Sequence, residues 1–190
     1  MKEGVCVPNV TFKYRVRTDG EDICHVNKNN GGENPFEWCD VTSQEIFGGK
    51  RVVVFSLPGA FTPTCSTMQV PGFEDKYWDI RKDYGIDEIY VISVNDTFTM
   101  RKWMIDQYVK NIKFIPDGNG EFTRQMGMLV DKSNLGFGMR SWRYAMVVND
   151  GKVEEFWEEP GRTDNCETDP YTTTDPDTII TYLKSGFSRG

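Results

Sequence analysis

One cysteine in this sequence lies where a thiol can act as a nucleophile. Cys65 follows the stretch LPGAFTPT at 57–64, and the apolar run VVVF at 52–55 stands before that stretch with only Ser56 between them. The run predicts a buried strand over 52–57, and a helical pattern begins near 62–65. Cys65 is therefore expected in the first turn of a helix, beyond the carboxyl end of a central strand. There the unpaired backbone N–H groups and the helix dipole favour the thiolate, which is the nucleophilic form.

The residues just before Cys65 strengthen this interpretation. Thr62 stands three positions earlier, so its hydroxyl can reach the sulfur from the preceding turn. Pro58 and Pro63 stiffen the turn and keep water away from it. The competing interpretation is a packed core thiol, because free cysteine is among the most buried residue types.

The other cysteines do not form a recognisable second motif. They are Cys6, Cys24, Cys39 and Cys166, and no two cysteines of the chain are separated by only two residues. The spacing therefore lacks a dithiol redox motif. Cys24 and His25 with Cys39 could be considered as metal ligands, but their spacing matches no zinc pattern. An odd number of irregularly spaced cysteines predicts free thiols in a reducing compartment.

Hydrophobic periodicity predicts the elements that must position Cys65. Strands are expected at 12–17, 52–57, 89–94 and 112–115. A hairpin is expected at 144–148 and 153–157, around the turn Asn149-Asp150-Gly151. The first helix is expected to begin near 62–65 and end at Gly85, the second to begin near 95–97 and end at about Val109, and the last to begin at about Pro176. Pro71 should kink or restart the first of these helices. This order predicts an α/β fold with a mixed central β-sheet, in which crossover helices join the strands before the hairpin.

The N-terminal part differs in composition from the rest. Residues 1–40 predict an extension made of one strand and a loop, and the loop at 18–35 is rich in Asn, Gly and Asp. Thr42 and Ser43 are candidate helix caps after it. At 190 residues the whole chain, 1–190, is most simply one domain.

Charge and hydropathy argue against two classes of partner. The formal net charge is −7, whereas a nucleic-acid surface needs clustered positive charge. No apolar run approaches the roughly 20 residues that cross a bilayer. The first ten residues, MKEGVCVPNV, do not show the charged and apolar regions of a signal peptide. We therefore expect a cytoplasmic protein that binds neither nucleic acid nor membrane.

The residues around Cys65 resemble a known family. Pro58, Thr62 and Cys65 match the Pro-x-x-x-Thr-x-x-Cys signature of the peroxiredoxins, and PGAFTPTCSTMQVPGF resembles the type II peroxiredoxins. That group has a single domain and includes atypical two-cysteine enzymes. The segments ISVND, PDGNGEFT and EEPG are also similar to it, so the resemblance covers roughly residues 40–160. It implies a thioredoxin-like fold.

The resemblance also implies a function and a set of site residues. It implies a thiol peroxidase that reduces hydrogen peroxide and small organic hydroperoxides through a cysteine sulfenic acid. Cys65 would be the peroxidatic nucleophile, Thr62 would hold thiolate and peroxide, and Pro58 would shield the sulfur. The family's arginine falls on Arg143, just before an apolar strand, with Arg140 as the nearest rival. No metal, flavin or haem is implied, since the cysteine carries the chemistry.

Two departures from the family pattern leave details open. Many type II members have a histidine four residues after the peroxidatic cysteine, where this chain has Gln69. No cysteine occupies the helix after the ISVND strand, so a resolving thiol must come from elsewhere. Cys166 lies close to the place where atypical two-cysteine members keep theirs, so it is a candidate resolving cysteine; otherwise an outside thiol reduces Cys65. Glutaredoxin with glutathione, or thioredoxin, would be the reductant, and the family implies a homodimer.

Three other functions are compatible with a single reactive cysteine to different degrees. A dithiol–disulfide oxidoreductase would need a second cysteine within three residues of Cys65, and Ser66, Thr67 and Met68 do not supply one. A redox sensor or holdase would use Cys65 as a switch, turn over little peroxide and release a partner on oxidation. An inactive structural protein fits least, because the chain has all four residues of the family's site: Pro58, Thr62, Cys65 and Arg143.

Overall fold

The apolar run before Cys65 forms the central strand of a five-stranded sheet. The computed structural model describes residues 3–17 and 36–187. The strands are β1 Thr11–Arg17, β2 Phe36–Thr42, β3 Arg51–Ser56, β4 Glu88–Ser93, β5 Lys113–Pro116, β6 Leu129–Asp131, β7 Met139–Ser141, β8 Tyr144–Asn149 and β9 Lys152–Glu158. The helices are α1 Ser43–Phe47, α2 Val70–Asp75, α3 Tyr77–Asp83, α4 Thr97–Asp106, α5 Glu121–Gln125 and α6 Pro176–Phe187, with a π turn at Cys65–Gln69 and a 3₁₀ turn at Ser133–Leu135.

The main sheet has the order β5-β4-β3-β8-β9. Strands β3, β4 and β5 pair in parallel, whereas β8 pairs antiparallel with β3 on one side and with β9 on the other. The prediction of a mixed central sheet flanked by helices is thus confirmed. Strand β3 lies in the middle, and residues 52–56 are all buried, which explains why its sequence is apolar without alternation.

The N-terminal extension is a two-stranded antiparallel sheet. Strand β1 was predicted, and its alternate residues Phe12, Tyr14 and Val16 are buried. The Tyr14 hydroxyl donates to the carbonyl of Phe114 in β5, at 2.8 Å, so the extension joins the main core. Strand β2 was not predicted, because only Cys39 of its seven residues is buried. Cys24 and His25 lie outside the described residues.

The helical region after Cys65 is less regular than its apolar spacing predicts. The π turn occupies its start, and α2 begins at Val70 with Pro71 in its first turn, so the predicted restart near this proline is confirmed. Lys76, with φ −93° and ψ 4°, then separates α2 from α3. Among the described residues, no helix has both the length and the hydropathy needed to span a bilayer.

Candidate active site

Cys65 is placed by the turn that leaves β3. The strand ends at Ser56, Pro58 and Gly59 are buried beside it, and helical geometry begins at residue 63. Cys65 has no exposed surface. It opens the π turn, and its carbonyl accepts the backbone N–H of Val70. The predicted position in the first helical turn beyond the central strand is confirmed.

Arg143 faces the sulfur from the neighbouring strand. It directly precedes β8, whose first residue, Tyr144, pairs with Ser56 at the end of β3. The antiparallel pairing therefore brings Arg143 to the end of the sheet from which the Cys65 turn departs. The arginine is 1% exposed, and its Nη1 lies 3.5 Å from Cys65 Sγ. Burial alone would lower the pKa of Arg143, but the charges of Cys65 and Asp169 raise it overall.

Three further side chains contact the Arg143 guanidinium. Gln69 Oε1 accepts a hydrogen bond from Nη1, and Asp169 Oδ1 accepts one from Nη2 at 2.6 Å. The guanidinium carbon lies 5.6 Å from the centre of the Tyr171 ring. The sequence singles out Gln69 only as a departure from the family, and it gives no local signal for Asp169 or Tyr171, which are more than 25 positions away.

Two buried donors at this site have no protein partner among the described residues. They are Nε of Arg143 and Nε2 of Gln69. Because an arginine only donates, the amide oxygen of Gln69 must face Arg143, and the amide nitrogen is left over. Unpaired buried donors lower the stability of a fold and are found mainly where a ligand or a water molecule supplies the missing acceptor. The site therefore offers N–H groups to a small molecule that accepts hydrogen bonds.

Thr62 is near the site, but its hydroxyl proton points elsewhere. Thr62 Oγ1 donates to the carbonyl of Gly59, at 2.7 Å. This differs from the expectation that the hydroxyl also holds the thiolate, because a hydroxyl has only one proton to donate. The lone pairs of its oxygen remain able to accept a hydrogen bond, for example from a hydroperoxide O–H.

The hydrogen bonds that the structure shows for Arg140 go to backbone carbonyls and not to the sulfur. Its Nη1 donates to the carbonyl of Val94 at 2.8 Å, and its Nε donates to that of Phe137 at 3.0 Å. Burial lowers its pKa. A Cβ on Gly59 would lie 3.3 Å from Arg140 Nη1, so only a glycine leaves full room for this arginine behind the turn. The preference for Arg143 over Arg140 thus agrees with the geometry at Cys65.

Cys166 lies on an irregular segment between β9 and α6. Its thiol is free, as is that of Cys65. Cys166 Sγ is 3.4 Å from Thr168 Oγ1, and hydrogen bonds from Thr168, its hydroxyl first, lower the pKa of this thiol. The segment also carries Asp169, so the candidate resolving cysteine and a partner of Arg143 are three residues apart.

The chain is similar to known proteins in both sequence and fold. The Redoxin family model matches residues 37–173. A peroxiredoxin of Rhizobium etli is 55% identical over 94% of this chain and 94% of that protein. Peroxiredoxin-2D of Arabidopsis thaliana is 46% identical over 60% of this chain and 70% of that protein.

A solved structure is similar over nearly the whole fold. The Plasmodium falciparum antioxidant protein, described as a 1-Cys peroxiredoxin, is 36% identical with a TM-score of 0.85, and the match covers 97% of this chain and 99% of that one. Identity at this level over this length, with a cysteine and an arginine in contact at the end of a thioredoxin-like sheet, assigns both family and activity class. The chain belongs to the type II group of the peroxiredoxins, which are thiol-dependent peroxidases.

Proposed function

We propose that Cys65 reduces hydrogen peroxide and small organic hydroperoxides through a sulfenic acid. The observation that carries this proposal is the 3.5 Å contact between Cys65 Sγ and Nη1 of the fully buried Arg143. A buried cation beside a thiol favours the thiolate and can also stabilise negative charge that develops on oxygen.

The proposed chemical step is a two-electron oxidation of the sulfur. The Cys65 thiolate attacks one peroxide oxygen, an S–O bond forms, and the O–O bond breaks. The sulfur loses two electrons, and the other oxygen leaves as alkoxide or hydroxide and takes up a proton to become alcohol or water. The unpaired N–H groups of Arg143 and Gln69 are the proposed donors to the peroxide oxygens. Thr62 Oγ1 is the proposed acceptor of a hydrogen bond from the hydroperoxide O–H, whose proton stays on the oxygen that becomes part of the sulfenic acid.

Pro58 has a supporting role in this proposal. It is buried between the end of β3 and the turn that carries Cys65. A rigid apolar ring at this place limits the access of water to the sulfur, and exclusion of water strengthens the interaction between thiolate and guanidinium.

We propose that an outside thiol reduces the sulfenic acid. That thiol, from glutathione with glutaredoxin or from thioredoxin, condenses with the sulfenic acid to a disulfide and water, and a second thiol releases Cys65. Cys166 remains the alternative. The outside thiol is favoured because hydrogen bonds on both sides hold the Cys166 segment in place, from Asn165 to Asp131 and from Thr172 to Glu159.

The test measures NADPH-coupled peroxide turnover by wild type, Cys65→Ser and Cys166→Ser with thioredoxin and glutaredoxin systems in parallel. Cys6→Ser is the matched control, because Cys6 is exposed near the N-terminus. We expect Cys65→Ser to abolish turnover and Cys166→Ser to retain it. A disulfide between residues 65 and 166 in the oxidised wild type, found by mass, would instead make Cys166 the resolving thiol, and turnover by Cys65→Ser would refute the peroxidase proposal.

We also propose a homodimer in the cytoplasm. The support for the dimer is apolar surface close to the site, since Phe61 next to Thr62 is 51% exposed and Met139 next to Arg140 is 49% exposed. Sedimentation of wild type and Phe61→Asp tests this: a dimer that dissociates in the variant is expected, and a wild type that sediments as a monomer contradicts it.

A further inference from the structure

We infer that Asp169 is a positioning residue, which holds Arg143 in the orientation that faces Cys65. The inference rests on the proposed function, in which Arg143 acts on the thiolate and the peroxide. It assigns a role to a residue of the segment between β9 and α6 that has no part in the cysteine motif.

The geometry of the guanidinium supports this role. Asp169 Oδ1 accepts from Nη2 of Arg143 at 2.6 Å, while Nη1 of the same group lies 3.5 Å from Cys65 Sγ. A guanidinium is planar and rigid, so a bond that fixes one nitrogen also fixes the direction of the other. Tyr171, from the same segment, has its ring 5.6 Å from the guanidinium carbon and limits the remaining motion.

Charge gives a second reason. Arg143 is buried, and an uncompensated buried charge is strongly unfavourable. In the proposed reaction the attacking Cys65 thiolate supplies one negative charge. After reaction the sulfenic acid is neutral, and Gln69 is neutral throughout. Asp169 is then the acidic side chain that still pairs with Arg143, so it keeps this cation in place across the whole cycle.

The segment that carries Asp169 is itself held at both ends. On one side the Asn165 N–H donates to the carbonyl of Asp131, at 2.7 Å. On the other side the buried Glu159 carboxylate accepts the backbone N–H groups of residues 172–174, at 2.8–3.0 Å. Residues 166–171 thus form a short strap between two anchors, and Asp169 lies within it over Arg143.

The test compares Asp169→Asn with Glu167→Gln, which removes the same charge from an exposed residue of the same strap. Three quantities are measured: the second-order rate of Cys65 oxidation by hydrogen peroxide, the rate of Arg143 modification by phenylglyoxal followed by peptide mass, and the midpoint of thermal unfolding. Asp169→Asn is expected to slow oxidation by about tenfold, which is less than the roughly 10²–10³-fold loss that follows removal of a charge-stabilising donor itself. It should also speed phenylglyoxal modification severalfold, while Glu167→Gln changes neither.

Asp169→Glu separates positioning from folding, because it keeps the charge and should restore part of the oxidation rate. Unchanged oxidation and unchanged phenylglyoxal modification in Asp169→Asn would overturn the inference. So would slow oxidation in both Asp169 variants with a matching loss of thermal stability. If wild type does not react with peroxide, the proposed function fails, whereas the phenylglyoxal rate still reports whether Asp169 holds Arg143.

Discussion

The indole N–H of Trp103 donates to the hydroxyl of Ser66, at 3.0 Å, and Ser66 directly follows Cys65. Trp103 lies on α4 with no exposed surface, as its place on the inner helical face predicts. This bond therefore ties the π turn that carries the thiol to a helix on another part of the chain.

Removing the Ser66 hydroxyl should loosen the π turn. Ser66→Ala leaves the buried Trp103 N–H without an acceptor, which costs about 1–3 kcal/mol of unfolding free energy. Amide hydrogen exchange at residues 65–69 should become faster, as measured by mass spectrometry. Thr67→Ala is the control, because the exposed Thr67 hydroxyl donates only to the carbonyl of Pro63. Equal protection of the turn in wild type and Ser66→Ala would show that Trp103 does not hold it.

Arg143→Lys tests whether the fork of the guanidinium matters beyond its charge. A lysine has one nitrogen and cannot contact Cys65 and Asp169 in the same way at once. The rate of peroxide reaction should fall about 10²-fold, or roughly 3 kcal/mol of transition-state stabilisation, in stopped-flow measurements. Arg140→Lys is the comparison, and a larger loss there would mean that the two arginines have been assigned the wrong way round.

Gln69→Glu places a carboxylate against Arg143 inside the site. The new charge would pair with the guanidinium and repel the thiolate and the oxygen that gains charge, so the peroxide rate should fall by about tenfold. Met68→Glu adds the same charge on the exposed side of the same turn and should leave the rate near that of wild type. A Gln69→Glu enzyme as fast as wild type would exclude Gln69 from the environment of the reacting atoms.

Glu159 makes part of the stability depend on pH. Burial alone would raise the pKa of Glu159, but the N–H groups of Thr173 and Thr172 outweigh it and the pKa is lowered. A lowered folded-state pKa means that the stabilisation is present above the unfolded value of about 4.3 and is lost as pH falls through the folded value. Glu159→Gln should therefore lose about 2 kcal/mol at pH 7.

The measurement is urea unfolding of wild type and Glu159→Gln between pH 3 and pH 7. The difference between the two proteins should be largest near neutral pH and should shrink below about pH 4. A difference that stays constant over this range would show that the ionised carboxylate is not what stabilises the segment.

The predictable parts of the fold are those with local causes. Strands β3 and β4 were predicted from apolar runs, because both lie in the interior of the sheet. Thr42 was one of two candidate helix caps, and its hydroxyl does accept from the N–H of Glu45 at the start of α1. Strand β2 has too few buried residues to show an alternating apolar pattern. The π turn differs from an α-helix in which backbone groups are hydrogen-bonded to each other, and the spacing of apolar residues does not specify that.

The site divides in the same way. Cys65, Thr62 and Pro58 lie within eight residues, so one motif contains them, and the resemblance added Arg143. Asp169 and Tyr171 reach the site only through the path of the chain after β9, which no local pattern specifies. The direction of the Thr62 hydroxyl could not be predicted either, because the carbonyl of Gly59 competes for its proton.

The pairing of β3 with β8 also affects how activity should be inferred from the sequences of related proteins. Side chains alternate between the two faces of a strand, and Arg143 directly precedes Tyr144, which pairs with Ser56. One residue inserted between Arg143 and Tyr144 would therefore turn the arginine to the opposite face. Such a chain would keep its proline, threonine and cysteine, and a motif search would still count it as an active peroxidase. The spacing between this arginine and its strand is therefore a better marker of a working enzyme than the cysteine motif alone.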